Sequence, residues 1–156
     1  MWSIQELVDL PALFILIVAN STPVVVARFL GERYSVPIDA NHSLRDGRTL
    51  FGAHKTWRGL ISGIVAAGFA GIMVSRGFAV GALFGAMALT GDLCSSFLKR
   101  RLGFISGQSI PLLDQLPEAL LPMLVLRGTM GLDTAAMVGT AIVFTLLDIL
   151  TARFRA

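Results

Sequence analysis

The sequence predicts an all-α integral membrane protein of about five transmembrane helices. Of its 156 residues, 54% are hydrophobic and only 15% are charged, and the mean hydropathy is +0.74. Soluble domains carry about 25% charged residues, and a single core of this size cannot bury so much apolar surface. A bilayer removes that problem, because its interior accommodates apolar side chains.

Five apolar segments are candidate spans, since a helix needs about 20 mostly apolar residues to cross a bilayer. The predicted spans are residues 10–28, 59–75, 77–98, 116–127 and 133–152. The fourth is short and contains Pro117, Glu118 and Pro122, so a re-entrant segment is the alternative there. We expect residues 1–156 to form a single domain, with two long polar loops, 30–58 and 99–115, on one side of the membrane.

The distribution of Lys and Arg predicts the orientation, because cytoplasmic loops are enriched in these residues. With five spans and the N-terminus outside, only Arg76 and Arg127 of the 13 basic residues lie outside. The other eleven lie inside: Arg28, Arg33, Arg45, Arg48, Lys55, Arg58, Lys99, Arg100, Arg101, Arg153 and Arg155. The sequence therefore predicts a multi-pass protein of the cell membrane, with a cytoplasmic C-terminus and a polar cavity open to the cytoplasm.

Three polar residues, Asn20, Asp92 and Asp148, are predicted at comparable depth in the inner half of the membrane. Asp92 lies seven residues before Lys99, or about 10 Å from the inner end of its helix at 1.5 Å per residue. A carboxylate there costs several kcal/mol unless it faces water, a cation or a partner. Each of the three is therefore a functional candidate, and a buried hydrogen-bonded pair that fixes helix packing is the alternative.

One face of the third span is polar, because Asp92, Ser95, Ser96 and Lys99 follow helical spacing. This polar stripe runs from the inner half of the bilayer to its surface. An acid deep in the membrane with a cation nearer the surface would suit a magnesium ion below a phosphate chain.

The segment before the second span contains Lys55, Thr56 and Arg58. A P-loop is excluded there, because the glycine spacing is absent and no strand precedes it. These side chains are placed for charge-assisted contacts to phosphate oxygens, with interfacial snorkelling as the alternative. Asp114 puts another carboxylate at a membrane surface, where it would otherwise serve as a helix N-cap.

Taken together, these residues resemble the CDP-archaeol synthases, membrane cytidylyltransferases related to CDP-diacylglycerol synthases. The motifs keep the family's order over roughly residues 19 to 117: Ala19-Asn20 with Pro23, Pro37-Ile38-Asp39, Gly52 with His54-Lys55-Thr56-Trp57-Arg58-Gly59, Gly91-Asp92, Ser96-Phe97-Leu98-Lys99-Arg100-Arg101, and Leu113-Asp114-Gln115. Two positions depart from the pattern. Ala40 stands where the family has a glycine, and Ala53 where it has a polar or acidic residue.

The resemblance implies transfer of CMP from CTP to a membrane lipid phosphate, with magnesium, giving a CDP-lipid and pyrophosphate for phospholipid biosynthesis. The lipid would be an archaeol-type 2,3-di-O-geranylgeranylglyceryl phosphate or phosphatidic acid. Asp92, Lys99 and Asp114 are the implied catalytic residues, with Asp92 and Asp114 as the magnesium ligands. The implied substrate-binding residues are Asn20, Asp39, Arg48, His54, Lys55, Thr56, Arg58, Ser96, Arg100 and Arg101. The expected partners are CTP and the lipid, and no nucleic acid.

Three other functions compete with this interpretation. A transporter would use Asn20, Asp92 and Asp148 to line a path, but such a path should reach both faces of the membrane. An alcohol-phosphotransferase would consume a CDP-lipid, but its usual aspartate-rich array is missing from the sequence. A small structural subunit of a larger complex is the third.

Overall fold

The computed structural model describes residues 7–108, 110 and 112–152. Within these residues the regular structure is helical, and β-structure is limited to two isolated bridges, Pro37–Thr56 and Ser43–Thr49. The helices are α1 (Leu10–Leu30), α2 (Trp57–Met73), α3 (Phe78–Leu102), α4 (Gln115–Val125), α5 (Arg127–Met130) and α6 (Thr134–Ala152). The predicted all-α class is therefore confirmed.

Three helices, α1, α3 and α6, are long and apolar enough to cross a membrane, and α2 is an apolar helix of 17 residues. α4 has only 11 residues, with Pro122 inside it. At 1.5 Å per residue it is about 17 Å long, roughly half the hydrocarbon core. Five spans and their orientation stay predictions. Arg153 and Arg155, two of the basic residues behind the orientation, lie outside the described residues.

Local sequence explains where the helices begin and end. Asp9 caps α1, since its Oδ1 accepts a hydrogen bond from the backbone N–H of Ala12 at 2.7 Å. Thr56 caps α2 through its Oγ1, which accepts from the N–H of Gly59 at 3.2 Å. α3 ends at Gly103, whose φ of 92° favours glycine. The last turn of α3 therefore includes Lys99, which lies beyond the predicted end of that span.

Small residues allow close helix packing. A Cβ on Gly81 of α3 would lie 2.3 Å from the backbone oxygen of Ala67 in α2, and one on Gly63 would lie 2.8 Å from the backbone oxygen of Ala19 in α1. The same holds between α3 and α4, where a Cβ on Gly91 would lie 2.2 Å from the backbone oxygen of Pro117. Small residues that bring backbones together are typical of membrane helices. The last contact places the middle of α3 directly against the start of α4.

Candidate functional site

A cavity of about 830 Å³ lies between α1, α2, α3 and the loop 31–56, with single residues of α4 and α6 in its wall. Its ionisable and polar lining consists of Asn20, Arg28, Glu32, Ser35, His54, Lys55, Thr56, Arg58, Asp92, Glu118 and Asp148. The structure thus brings together six of the predicted site residues: Asn20, His54, Lys55, Thr56, Arg58 and Asp92. It places the other predicted residues outside this lining.

The centre of the site is an ion pair between the loop and α3. Lys55 Nζ lies 2.7 Å from Asp92 Oδ1 and 2.6 Å from Oδ2. The loop holds Lys55 in place, because the N–H of Ile38 donates to the Lys55 backbone oxygen at 2.8 Å and the N–H of Trp57 donates to that of Val36 at 3.0 Å. About a quarter of each ion-paired side chain is exposed, 28% for Lys55 and 24% for Asp92. Both groups can therefore be reached from the cavity.

Two further lining residues, Arg58 and Asn20, already have backbone partners. Arg58 Nη1 donates to the backbone oxygens of Gly31, at 2.9 Å, and Arg33, and so ties the end of α1 to the start of α2. Asn20 Nδ2 donates to the Leu16 backbone oxygen at 3.0 Å. Arg58 can therefore bind an anion only through guanidinium N–H groups that do not take part in these contacts.

Asp39, a predicted substrate-binding residue, organises the loop instead of lining the cavity. Its Oδ2 accepts from the N–H groups of Phe51 at 2.8 Å and Gly52 at 3.0 Å, and its Oδ1 accepts from that of Asn41 at 3.0 Å. Partial burial opposes ionisation of Asp39, but the three backbone donors outweigh it, and the pKa of the carboxyl lies below its usual value. Asp39 thereby fixes the loop immediately before the segment that carries Lys55.

Lys99 and Asp114, both predicted as catalytic, form a second ion pair away from the cavity lining. Lys99 Nζ lies 2.7 Å from Asp114 Oδ1 and donates to the Gln108 backbone oxygen at 2.9 Å. Asp114 Oδ2 accepts from the N–H of Ile110 at 3.0 Å. The two carboxylates expected to share a magnesium ion, Asp114 and Asp92, thus each bind a different lysine.

The rest of the polar stripe on α3 faces protein. Ser95, Ser96 and Arg100 are buried. Ser95 Oγ donates to the Asp92 backbone oxygen at 2.9 Å, and Arg100 Nη2 donates to the Ile105 backbone oxygen at 2.6 Å. Arg100, predicted to bind substrate, thus ties the end of α3 to the loop that follows it. Ser96, also predicted to bind substrate, is buried.

Arg48 and Arg101, also predicted to bind substrate, fasten the first loop to the end of α3. Arg48 Nη1 donates to the Arg101 backbone oxygen at 2.8 Å, and Arg101 Nη2 donates to that of Thr49 at 2.6 Å. Arg101 Nη1 also lies 2.6 Å from Asp46 Oδ2. A hydrogen bond from the Arg48 N–H and the charge of Arg101 hold the pKa of Asp46 below its usual value.

Four ionisable residues of the lining had no predicted site role: Arg28, Glu32, Glu118 and Asp148. Asp148 had been a functional candidate for its depth, and its Oδ2 accepts from Gln115 Nε2 at 2.8 Å. Glu118 lies in α4 and is only 9% exposed. An acid inside an apolar segment of a membrane protein itself indicates a functional role. The sequence shows such an acid at both Glu118 and Asp148.

Asp92 is a carboxylate of the cavity lining that suits a divalent cation. Among the described residues, no group of three or more His, Cys, Asp or Glu side chains is arranged to hold a metal ion. Magnesium, however, uses one or two carboxylates together with substrate oxygens and water. Asp92 fits that requirement, because its side chain is partly exposed and lines the cavity.

Comparisons with known proteins point to one family. A family model described as CarS-like, CDP-archaeol synthase, matches residues 4–156. The chain is 39% identical to the CDP-archaeol synthase of Aeropyrum pernix over 128 residues, which cover 74% of this chain and 67% of the relative. It is 38% identical to that of Pyrococcus furiosus over 116 residues, covering 68% and 64%. The matched segments thus span about two thirds of these relatives' own lengths.

A solved structure is similar over nearly the whole chain. It is described as an intramembrane enzyme for archaeal membrane lipids biosynthesis. The TM-score is 0.75 at 33% identity, and the match covers 91% of this chain and 90% of the other.

Proposed function

We propose that this chain, which belongs to the CDP-archaeol synthase family, transfers CMP from CTP to an archaeol-type lipid phosphate and releases pyrophosphate. The observation that carries the proposal is the Lys55–Asp92 ion pair, exposed within a cavity that also contains Arg28 and Arg58. The curated relatives named above are CDP-archaeol synthases. A transporter is disfavoured by the family membership.

The proposed reaction requires positively charged groups at defined positions and does not require a strong base. An oxygen of the lipid phosphate attacks the α-phosphorus of CTP, and the bond from that phosphorus to the bridging oxygen breaks, so the electron pair leaves with pyrophosphate. A phosphate monoester is already anionic near pH 7, because its second pKa is about 6. The barrier therefore lies in bringing anions together and in stabilising the charge that develops on the leaving group.

The residues of the cavity supply that charge in our proposal. The guanidinium of Arg28 and the ammonium of Lys55 contact phosphate oxygens, with Arg58 contributing its remaining donors. Lys99 acts through Asp114, since it is buried and lies outside the lining. Arg48, Arg101 and Asp39 hold the loop that presents Lys55.

Magnesium belongs to the proposal as a cofactor, with Asp92 as the residue that would hold it. When bound, it would neutralise phosphate charge and stabilise the leaving pyrophosphate. Asp114 as a second ligand stays a prediction, because its carboxylate is bound to Lys99 and to the Ile110 N–H.

We further propose that all five apolar segments are embedded in the cell membrane, with the cavity open to the cytoplasm. The inside loops then carry most of the basic residues, as the positive-inside rule requires. CTP enters from the cytoplasm, and the hydrocarbon chains of the lipid stay in the bilayer while the phosphate reaches the cavity.

The test is pyrophosphate release by the purified protein in liposomes, with CTP, magnesium and 2,3-di-O-geranylgeranylglyceryl phosphate. The matching lipid alcohol is the control, because it lacks the anionic nucleophile. We expect pyrophosphate and CDP-lipid in equal amounts with the phosphate and neither with the alcohol. Absence of both products, or comparable turnover of the alcohol, contradicts the proposal. Phosphatidic acid in a parallel assay measures how far the enzyme discriminates the lipid.

A further inference from the structure

Glu118 is an acid in the cavity wall for which the proposed reaction has no use. It lies in α4, only 9% exposed, and lines the same cavity as Lys55 and Asp92. Within the described part of the chain, its carboxyl group takes part in no hydrogen bond or ion pair. A carboxylate buried without a cationic partner is costly, so a cation that comes within reach would stabilise the charged form of Glu118.

The backbone brings Glu118 close to the ion pair. Gly91, directly before Asp92, packs so tightly on α4 that a Cβ there would lie 2.8 Å from the backbone nitrogen of Glu118. Glu118 is also within electrostatic range of Lys55 and of three acids, Asp92, Asp148 and Asp114. The Lys55 ammonium is therefore bonded to the acid of α3 and lies within electrostatic range of an acid of α4.

The Lys55–Asp92 contact is incompatible with a metal ion on Asp92. Lys55 Nζ uses both carboxylate oxygens, at 2.7 and 2.6 Å. A divalent cation on Asp92 needs the same lone pairs and repels the ammonium. Lys55 must therefore move before Asp92 can serve as a ligand, and a lysine has the flexible stem and rotatable donors for such a move.

We propose that Glu118 is a positioning residue that receives the Lys55 ammonium when Asp92 takes up a cation. Lys55 then stays in the cavity as a charge for phosphate, and Glu118 gains the partner that it lacks. Asp148 is the less suitable acceptor, because its Oδ2 is already engaged by Gln115 at 2.8 Å. This inference rests on the proposed function, since it assumes that Asp92 holds the cation of the transfer reaction.

The experiment is a double-substitution cycle read out by Mn²⁺ binding, measured by electron paramagnetic resonance on the purified protein without CTP. With Lys55 present, we expect Glu118→Gln to weaken Mn²⁺ binding about tenfold, because the ammonium then stays on Asp92. In a Lys55→Met background, the same change should alter Mn²⁺ affinity less than twofold. Asp133→Asn, at an exposed acid that caps α6, is the matched control and should leave binding unchanged.

Two results would overturn the inference. One is an unchanged Mn²⁺ affinity in Glu118→Gln, which would mean that Lys55 does not need this acid. The other is equal weakening in both backgrounds, which would make Glu118 a direct ligand or a purely structural residue. If Glu118→Gln does not fold, Lys55→Met still tests the competition on which the exchange depends: removal of the ammonium should strengthen Mn²⁺ binding about tenfold, and no gain contradicts the exchange.

The same protein preparations separate this inference from the proposed function. Pyrophosphate release by the parent chain tests the reaction. If the parent is active and the two substitutions are merely additive in Mn²⁺ binding, the reaction stands and only the role of Glu118 is wrong. If the parent releases no pyrophosphate, the reaction itself is wrong, whatever the binding cycle shows.

Discussion

Lys99 Nζ lies 2.7 Å from Asp114 Oδ1, and only 10% and 15% of the two side chains are exposed. The pair joins the last turns of α3 to the residue before α4. Lys99 also holds the backbone oxygen of Gln108 at 2.9 Å. The two contacts thus fasten Gln108 and Asp114, which lie between α3 and α4, to the end of α3.

Lys99→Met should therefore destabilise the protein as well as reduce its activity. It leaves Asp114 poorly exposed and unpaired, which costs about 3 kcal/mol or more, or roughly 6–12 °C in Tm for a chain of this size. The double variant Lys99→Met/Asp114→Asn removes the stranded charge and should recover most of the loss. Thermal unfolding in detergent measures both variants. A Tm within 2 °C of the parent for Lys99→Met would show that the pair contributes little.

Asp92→Asn should lower turnover at least ~100-fold, which is the usual loss when one electrostatic stabiliser is removed. The amide keeps the volume but not the charge that a divalent cation needs. Folding should survive, because a neutral group costs less to bury in a membrane than a carboxylate. Pyrophosphate release and the yield of monodisperse protein are measured together, with Asp133→Asn as the matched control. Near-normal activity in Asp92→Asn would remove this residue from the reaction.

The sequence was sufficient to place the four longest helices, because a long apolar segment forms a helix in a membrane. The short helix α5 was not predicted, and the number of spans and their orientation stay predictions. Asp92 and Lys55 were also predictable, since each is a charged residue close to an apolar span. Their pairing was not, because the two residues are 37 positions apart and the distance between them depends on how α2, α3 and the loop pack.

The second ion pair shows the same limit. The resemblance to the family implied that Asp114 shares a magnesium ion with Asp92, because magnesium uses one or two carboxylates together with substrate oxygens. In the structure Asp114 pairs with Lys99, because α3 continues to Leu102 and places Lys99 beside the following loop. The role of Asp114 as a second ligand stays a prediction. At Ala40 the structure explains a departure that the sequence could only note. The residue has a φ of 47°, and positive φ favours the glycine that the family pattern has there.

Asp39 should make the stability of the first loop depend on pH. Its pKa is lowered in the folded protein, so its contribution is complete above the unfolded value of about 3.9 and is lost as the pH falls through the folded pKa. Asp39→Asn should lower Tm by a few degrees at pH 7, since hydrogen bonds to a charged group contribute about 1.5–3 kcal/mol. The difference from the parent should shrink below about pH 4. A difference that is constant across this range would contradict the assignment.

The orientation can be tested with single cysteines in a Cys94→Ser background. Arg45→Cys lies in the exposed first loop, and Gly128→Cys lies in α5, where a Cβ meets no atom within 4 Å. In intact cells, a membrane-impermeant thiol reagent should label position 128 and not position 45. Position 45 should react after lysis. The reverse pattern would invert the topology and place the cavity on the outer face.

Gly91→Ala should damage the site without touching a charged group. The new Cβ would lie 2.2 Å from the backbone oxygen of Pro117 and 2.8 Å from the backbone nitrogen of Glu118. Backbone atoms cannot move aside as a flexible side chain can, so α4 must shift away from α3. The expected loss of stability is about 1–3 kcal/mol, as for other overpacked sites. Turnover should fall about tenfold or more, since misplacement by about 1 Å costs up to 100-fold.

Gly128→Ala is the control, because its Cβ enters open space and alanine favours a helix by about 1 kcal/mol over glycine. Turnover and Tm of Gly91→Ala equal to those of Gly128→Ala would show that the close contact between α3 and α4 is not what holds Asp92 beside Glu118.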